Sequence, residues 1–295
     1  MVARQRSGKI RVPDGKTVAV SITFDCDALT LWQDSTGQTG PVSLSRGEYG
    51  MLAGIPRILD MLERYGIKTT FFVPGRTADT YPEIIREIIA AGHEIGWHGY
   101  SHANNTTMSL EEEDRAMQMG IDAICRCGAP APIGYRAPSC DYSPNTMGLL
   151  TKYGFRYASN LMGNDNFPYY PCPVIGHSDR GNEFAEPLPI LELPLSYQTD
   201  DIIFIEYVNK FPWMPPMPLR PTSELFQREM GAFDYACKTP GSEVILVNHP
   251  QATGHPEFIM NMERMIEHMQ ERGAWLVPCK DIYEAFIPDA KEDAK

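Results

Sequence analysis

The chain has 295 residues, 43% of them hydrophobic and 22% charged, with a formal net charge of −12. This is the composition of a globular enzyme of one large domain or two small ones, and its acidity excludes a basic stripe for nucleic acid or an anionic membrane surface. No apolar run approaches the ~20 residues of a membrane span.

Residues 17–24 (TVAVSITF) are β-branched and apolar and predict a buried strand. Residues 47–65 place Leu52, Ile55, Leu59, Leu62 and Tyr65 at helical spacing, with Gly66 as the stop. A strand over 69–73 follows, then a helix over 80–91 ending at Gly92, and a strand over 93–97. Ser109 with Glu112 forms a capping box that opens a helix running to about Cys127. A short strand is expected over 133–136, a helix from Ser143-Pro144 to Gly154, and strands over 155–159 and 190–193. The last elements are a helix over 222–237, a buried strand over 243–248, a helix over 257–272 and a strand over 274–277. Residues 160–189 read as a long loop, and 200–221 as an apolar, proline-rich stretch.

Strands alternating with helices predict a parallel sheet. No glycine-rich phosphate signature follows the first strand, so a single barrel-like domain is favoured over an open nucleotide-binding sheet. Residues 1–16 are read as an N-terminal extension, 17–288 as the catalytic domain and 289–295 as a flexible tail. The seven cysteines are scattered, and Cys125-x-Cys127 has the wrong spacing for a zinc knuckle. Reduced thiols in a cytoplasmic protein are expected. The opening residues hold no apolar segment of a secretory signal.

Functional groups in such folds collect at the carboxyl ends of strands. The first strand ends in Phe24-Asp25-Cys26-Asp27, and two carboxylates there are costly unless paired, hydrogen-bonded or metal-bound. A helix cap or turn is the plainer reading of either one alone. The third strand ends in Trp97-His98-Gly99-Tyr100-Ser101-His102. Two histidines four apart can face one cation, and with Asp27 they make the common ligand set of a catalytic zinc. Asp25 then stays free to take a proton from water. Arg136, at the end of the fourth strand, could orient a carboxylate or form an ordinary structural ion pair. His249, leaving the buried strand 243–248, suits a general acid; its alternative is a hydrogen-bonded core histidine. His93, His177, His255 and His268 are assigned no role, and Cys26 is expected to point away from its aspartate neighbours.

Taken in order, TFDCD, HGYSH, RAP and LVNH resemble the motifs of the polysaccharide deacetylase family, also called the nodulation-deacetylase homology domain. The resemblance runs from about Thr17 to about Pro288 and is strongest to an intracellular branch. That branch includes cyclic imide hydrolases, allantoinase-like enzymes and peptidoglycan deacetylase-like proteins. It implies an irregular (β/α) barrel of about seven parallel strands. It further implies Asp25 as base, Arg136 as its orienting partner, His249 as acid, and Asp27, His98 and His102 as ligands of a divalent metal, zinc first. The chain departs from the branch at Ser139-Cys140-Asp141 and carries Tyr197 where relatives often have Trp.

The expected activity is therefore metal-dependent hydrolysis of a non-peptide C–N bond in a cyclic imide or small N-acyl compound. N-deacetylation of N-acetylglucosamine glycans is the alternative substrate reading. A non-catalytic metal- or ligand-binding protein is the alternative from another class. Small-molecule substrates, no nucleic acid or membrane partner, and a homo-oligomer anchored by Phe211, Trp213 and Met214 complete the expectation.

Overall fold

The computed structural model describes residues 6–202 and 221–288. Its strands are β1 (Arg6–Ile10), β2 (Ala19–Asp25), β3 (Thr70–Val73), β4 (Glu94–Trp97), β5 (Gly134–Tyr135), β6 (Tyr157–Ala158), β7 (Tyr169–Tyr170), β8 (Val174–Ser178), β9 (Gly181–Phe184), β10 (Leu191–Glu192), β11 (Glu243–Asn248), β12 (Trp275–Leu276) and β13 (Phe286–Pro288). Seven of them, in the order β11-β2-β3-β4-β5-β6-β10, form a continuous parallel run. β12 also pairs parallel with β2, beside β3. The sheet curls into an incomplete barrel surrounded by helices, as the alternation of elements predicts.

The two longest strands of the run, β2 and β11, are buried along their whole length. Helices cover one side and barrel-interior side chains the other, which is why both read as near-continuous apolar runs. The outer core packs Ile22, Phe24, Phe71 and Leu246 against helical Ile55, Ile58, Met61, Ile85, Met262 and Ile266. The inner cluster joins Phe72, Tyr157, Leu191, Ile245 and Cys279.

Antiparallel strands extend the sheet beyond β10. β7 pairs with β10, β1 with β7, and β13 with β1. The stretch read as an N-terminal extension, 1–16, thus carries a strand of the sheet. Its sequence, RSGKI, lacks the alternation that would announce one. The expected long loop over 160–189 contains β7 and an exposed β8–β9 hairpin.

The helix expected over 47–65 is broken by a π-helical segment, Gly50–Gly54, between helices Pro41–Tyr49 and Ile55–Arg64. The wider turn rotates the apolar face. Met51 and Ile55 point inward, and Leu52, expected in the core, is 63% exposed. The capping box forms as predicted: Ser109 Oγ accepts from the Glu112 N–H, and the Ser109 N–H donates to the Glu112 carboxylate. All seven cysteines are free thiols. Phe211, Trp213 and Met214, and the 289–295 tail, lie outside the described residues. Among the described residues, no helix is long and apolar enough to cross a membrane.

Candidate active site

Every site residue read from the sequence stands at the same end of the parallel run. Asp25 is the last residue of β2, and Asp27 follows it. His98 follows β4, Arg136 follows β5, and His249 follows β11. His102 is brought back beneath His98 by a turn at Gly99, whose φ is +76°. A Cβ there would lie 2.8 Å from the Ser101 carbonyl oxygen, so only glycine makes this turn without strain. The two imidazole rings then sit edge to face, centroids 5.2 Å apart.

Asp27, His98 and His102 converge, with one ligand atom from each lying within 4.8 Å of the others. His98 Nε2 is 3.3 Å and His102 Nε2 3.8 Å from Asp27 Oδ1. Both Asp27 carboxylate oxygens and His98 Nε2 are buried without a hydrogen-bond partner. Three such atoms buried in one small cluster are expensive unless a cation sits among them. Burial works against the charge on Asp27, but His102, His98 and His249 outweigh it and hold its pKa below the usual carboxylate range. The other ring nitrogens are already occupied. His98 Nδ1 donates to the Arg136 carbonyl at 2.9 Å. Ser35 Oγ lies 2.5 Å from His102 Nδ1 and donates its single proton to the His102 carbonyl at 2.7 Å, so it accepts from the ring. In their neutral form both rings therefore turn Nε2 lone pairs toward Asp27, the form a divalent metal needs. The set fits such an ion.

Arg136 is fully buried. Its Nη1 donates to Asp25 Oδ1 at 2.8 Å and to Thr23 Oγ1 at 2.7 Å. Its guanidinium carbon lies 4.2 Å from the Phe72 ring centroid. The other oxygen of Asp25, Oδ2, is 3.9 Å from His98 Nε2 and so faces the ligand cluster.

His249 approaches from the other side, its Nε2 3.6 Å from Asp27 Oδ2. Its Nδ1 donates to Asp201 Oδ1 at 2.6 Å, and its backbone N–H to Asp201 Oδ2 at 2.8 Å. Thr253 Oγ1 also donates to Asp201 Oδ2. Burial opposes the charged imidazole, but Asp201, Asp27 and Asp200 raise its pKa well above the ordinary histidine value. Asp200 is pushed up to about 7 by burial, with Asp201 and Asp25 adding to the effect and His249 opposing it. Asp200, Asp201 and His249 also lie close enough to form a second candidate cation cluster. Asp201, however, is already engaged by three donors.

The structure brings all six sequence-derived site residues together. Sequence reasoning missed Ser35, which sits on the π-helical turn Leu31–Ser35, and gave no role to Asp201. A doubled aspartate directly before an apolar segment was the available signal for Asp201. Cys26 is buried, and its thiol pKa is raised by burial and by Asp27 and Asp25, as expected for an unreactive thiol. Cys140 is half-buried in the same surroundings; burial, then Asp200, raise its thiol pKa.

Residues 16–158 match the family model described as polysaccharide deacetylase. The chain is 30% identical over 290 residues to a peptidoglycan deacetylase of Helicobacter pylori, covering 92% of this chain and 97% of that one. A Mycobacterium smegmatis structure whose polysaccharide deacetylase name is provisional superposes with a TM-score of 0.81 at 32% identity, covering 94% of this chain and 92% of the other. An allantoinase structure superposes with a TM-score of 0.76 at 23% identity, covering 94% and 92% of the two chains. At that identity it shares the fold.

Proposed function

Because the chain belongs to the polysaccharide deacetylase family, whose members hydrolyse non-peptide C–N bonds, we propose that it uses Asp27, His98 and His102 to hold a divalent metal, zinc first, and cleaves a cyclic imide or small N-acyl compound. The observation that carries this is the orphaned trio of buried ligand atoms, flanked by Asp25 on one side and His249 on the other. When bound, the metal supplies Lewis-acid polarisation of the scissile carbonyl and a water of lowered pKa.

The protein's own groups divide the proton work. Arg136 occupies Asp25 Oδ1, which leaves Oδ2 to accept a proton as water adds to the carbonyl carbon. His249, kept protonated beside Asp201, delivers a proton from Nε2 to the nitrogen as the C–N bond breaks. One water is consumed: a cyclic imide opens to a single product carrying a carboxylic acid and an amide, and an N-acyl compound gives a carboxylic acid and an amine. The ligand and acid–base side chains are all nearly inaccessible: Asp25 is 2%, Asp27 0%, His98 2%, His102 5% and His249 5% exposed. Such burial fits a substrate that inserts its scissile group among these side chains.

The similarity to a peptidoglycan deacetylase over almost its full length favours a second reading, release of acetate from N-acetylglucosamine units. Elemental analysis with matched assays decides between them. Stoichiometric metal with opening of succinimide- or dihydrouracil-like rings supports the first reading. Acetate release from N-acetylglucosamine oligomers, with no ring opening, replaces it with the second. A metal-free protein that turns over either substrate would overturn the metal assignment.

A further inference from the structure

Arg136 serves two groups at once. Its guanidinium holds Asp25, and its backbone carbonyl holds His98 Nδ1. A small shift of this one residue would displace a proton-transfer group and a metal-facing ring together.

Arg136 is itself held by the segment directly after β6. Its Nη2 donates to Ser159 Oγ at 3.0 Å, and its Nε to the Ser159 carbonyl at 3.3 Å. The N–H of the next residue, Ala137, donates to Asn160 Oδ1 at 2.6 Å. β6 is only two residues long, and its ladder reaches just one residue further, with the Ser159 N–H donating to the Tyr135 carbonyl at 2.9 Å, so Asn160 and Leu161 lie past it. The segment is anchored instead from β10. Glu192 Oε1 accepts the backbone N–H of Asn160 and, at 2.7 Å, that of Leu161.

Asn160 and Glu192 are 2% and 0% exposed. Each keeps one polar atom, Asn160 Nδ2 and Glu192 Oε2, buried without a partner. That arrangement costs stability. What the two residues supply in return is a pair of acceptors, each aimed at backbone N–H groups beside the site. Burial pushes the Glu192 carboxyl up to about 8, so near neutral pH it is largely an uncharged acid that a glutamine can imitate.

We propose that Asn160 and Glu192 are positioning residues that act through Arg136, setting the placement of Asp25 and of the His98 ring together. The inference rests on the reading of Asp25 as base and His98 as ligand.

The test uses the full chain and two readouts. One is Zn2+ and Co2+ affinity by chelator competition. The other is the split between kcat and KM on the substrate the wild type turns over. Asn160→Ala and Glu192→Ala should each weaken metal binding and lower kcat about tenfold, as outer-shell changes do, with KM within about twofold. Glu192→Gln, which keeps the acceptor, should stay within about twofold of wild type in both. Glu192→Asp, one methylene short of the two N–H groups, stands in for either alanine variant that loses its cooperative melt. Alanine variants with wild-type metal affinity and kcat overturn the proposal, as does Glu192→Gln losing as much as Glu192→Ala. A wild type that binds metal tightly but turns over neither substrate class sinks the functional reading alone. The affinity comparison then still decides whether these residues position His98.

Discussion

Asp201 grips His249 at two points, with Oδ1 2.6 Å from Nδ1 and Oδ2 2.8 Å from the backbone nitrogen. The side chain and main chain of the histidine are fixed by one carboxylate, so Nε2 can turn only toward Asp27. The charge of Asp201 also keeps the imidazole protonated against the effect of burial. Asp201→Asn keeps the shape and loses the charge. Its kcat should fall about 10–100-fold, part of what a general acid contributes, with bound metal unchanged. An undiminished kcat would remove His249 as the proton donor.

The division between what the sequence revealed and what it hid has a physical basis. Asp25, Asp27, His98, Arg136 and His249 each end a strand or follow one within two residues, so a local pattern locates them. Ser35, Asn160 and Glu192 act through hydrogen bonds to partners distant in sequence: Ser35 meets His102 67 residues away, and Asn160 meets Glu192 32 residues away. No local period encodes such pairs. The same holds for the fold. Apolar β2 and β11 and the Ser109 cap are local signals, whereas β1 and β13 owe their pairing to each other and lie at opposite ends of the chain. Leu52 faces outward against expectation because a π-turn leaves no mark in the apolar spacing.

Metal should stabilise the fold measurably. Free metal about a thousandfold above its Kd adds about 4 kcal/mol to the folded state. In a chain of this size that raises Tm by roughly 6–7 °C. Chelation should reverse the rise, and Asp27→Asn or His98→Ala should abolish it together with activity. A melt indifferent to Zn2+ in the wild type would contradict the reading of the three buried ligand atoms.

The His249 turn is also held by packing. A Cβ on Gly54 would lie 2.4 Å from the Pro250 carbonyl oxygen, and one on Gly254 would lie 2.3 Å from Gly54 Cα. Backbone presses on backbone here, so the neighbour cannot yield as a flexible side chain would. Gly54→Ala should cost about 1–3 kcal/mol as an overpacked site. It should also lower kcat by displacing His249, with metal content retained. Thermal melts and elemental analysis check both halves, and an unchanged Tm would show that the contact has slack.

The last prediction concerns pH and a histidine outside the site. His93 is 8% exposed, and its Nδ1 accepts the Thr69 N–H at 3.2 Å, which requires an unprotonated nitrogen. Burial, with help from Lys68, lowers its pKa from 6.5 to about 4. The folded protein therefore resists a proton that the unfolded chain accepts below about 6.5. The contribution is fully present above that pH and is lost as pH falls toward 4, amounting to about 3 kcal/mol over the interval. Denaturant melts between these limits should show the loss. His93→Gln offers the Thr69 N–H an acceptor that does not titrate, so it should flatten this part of the stability profile while lowering stability at neutral pH through poorer packing on Phe71. If the variant loses stability with falling pH as steeply as wild type, the loss belongs to other groups and His93 is not its source.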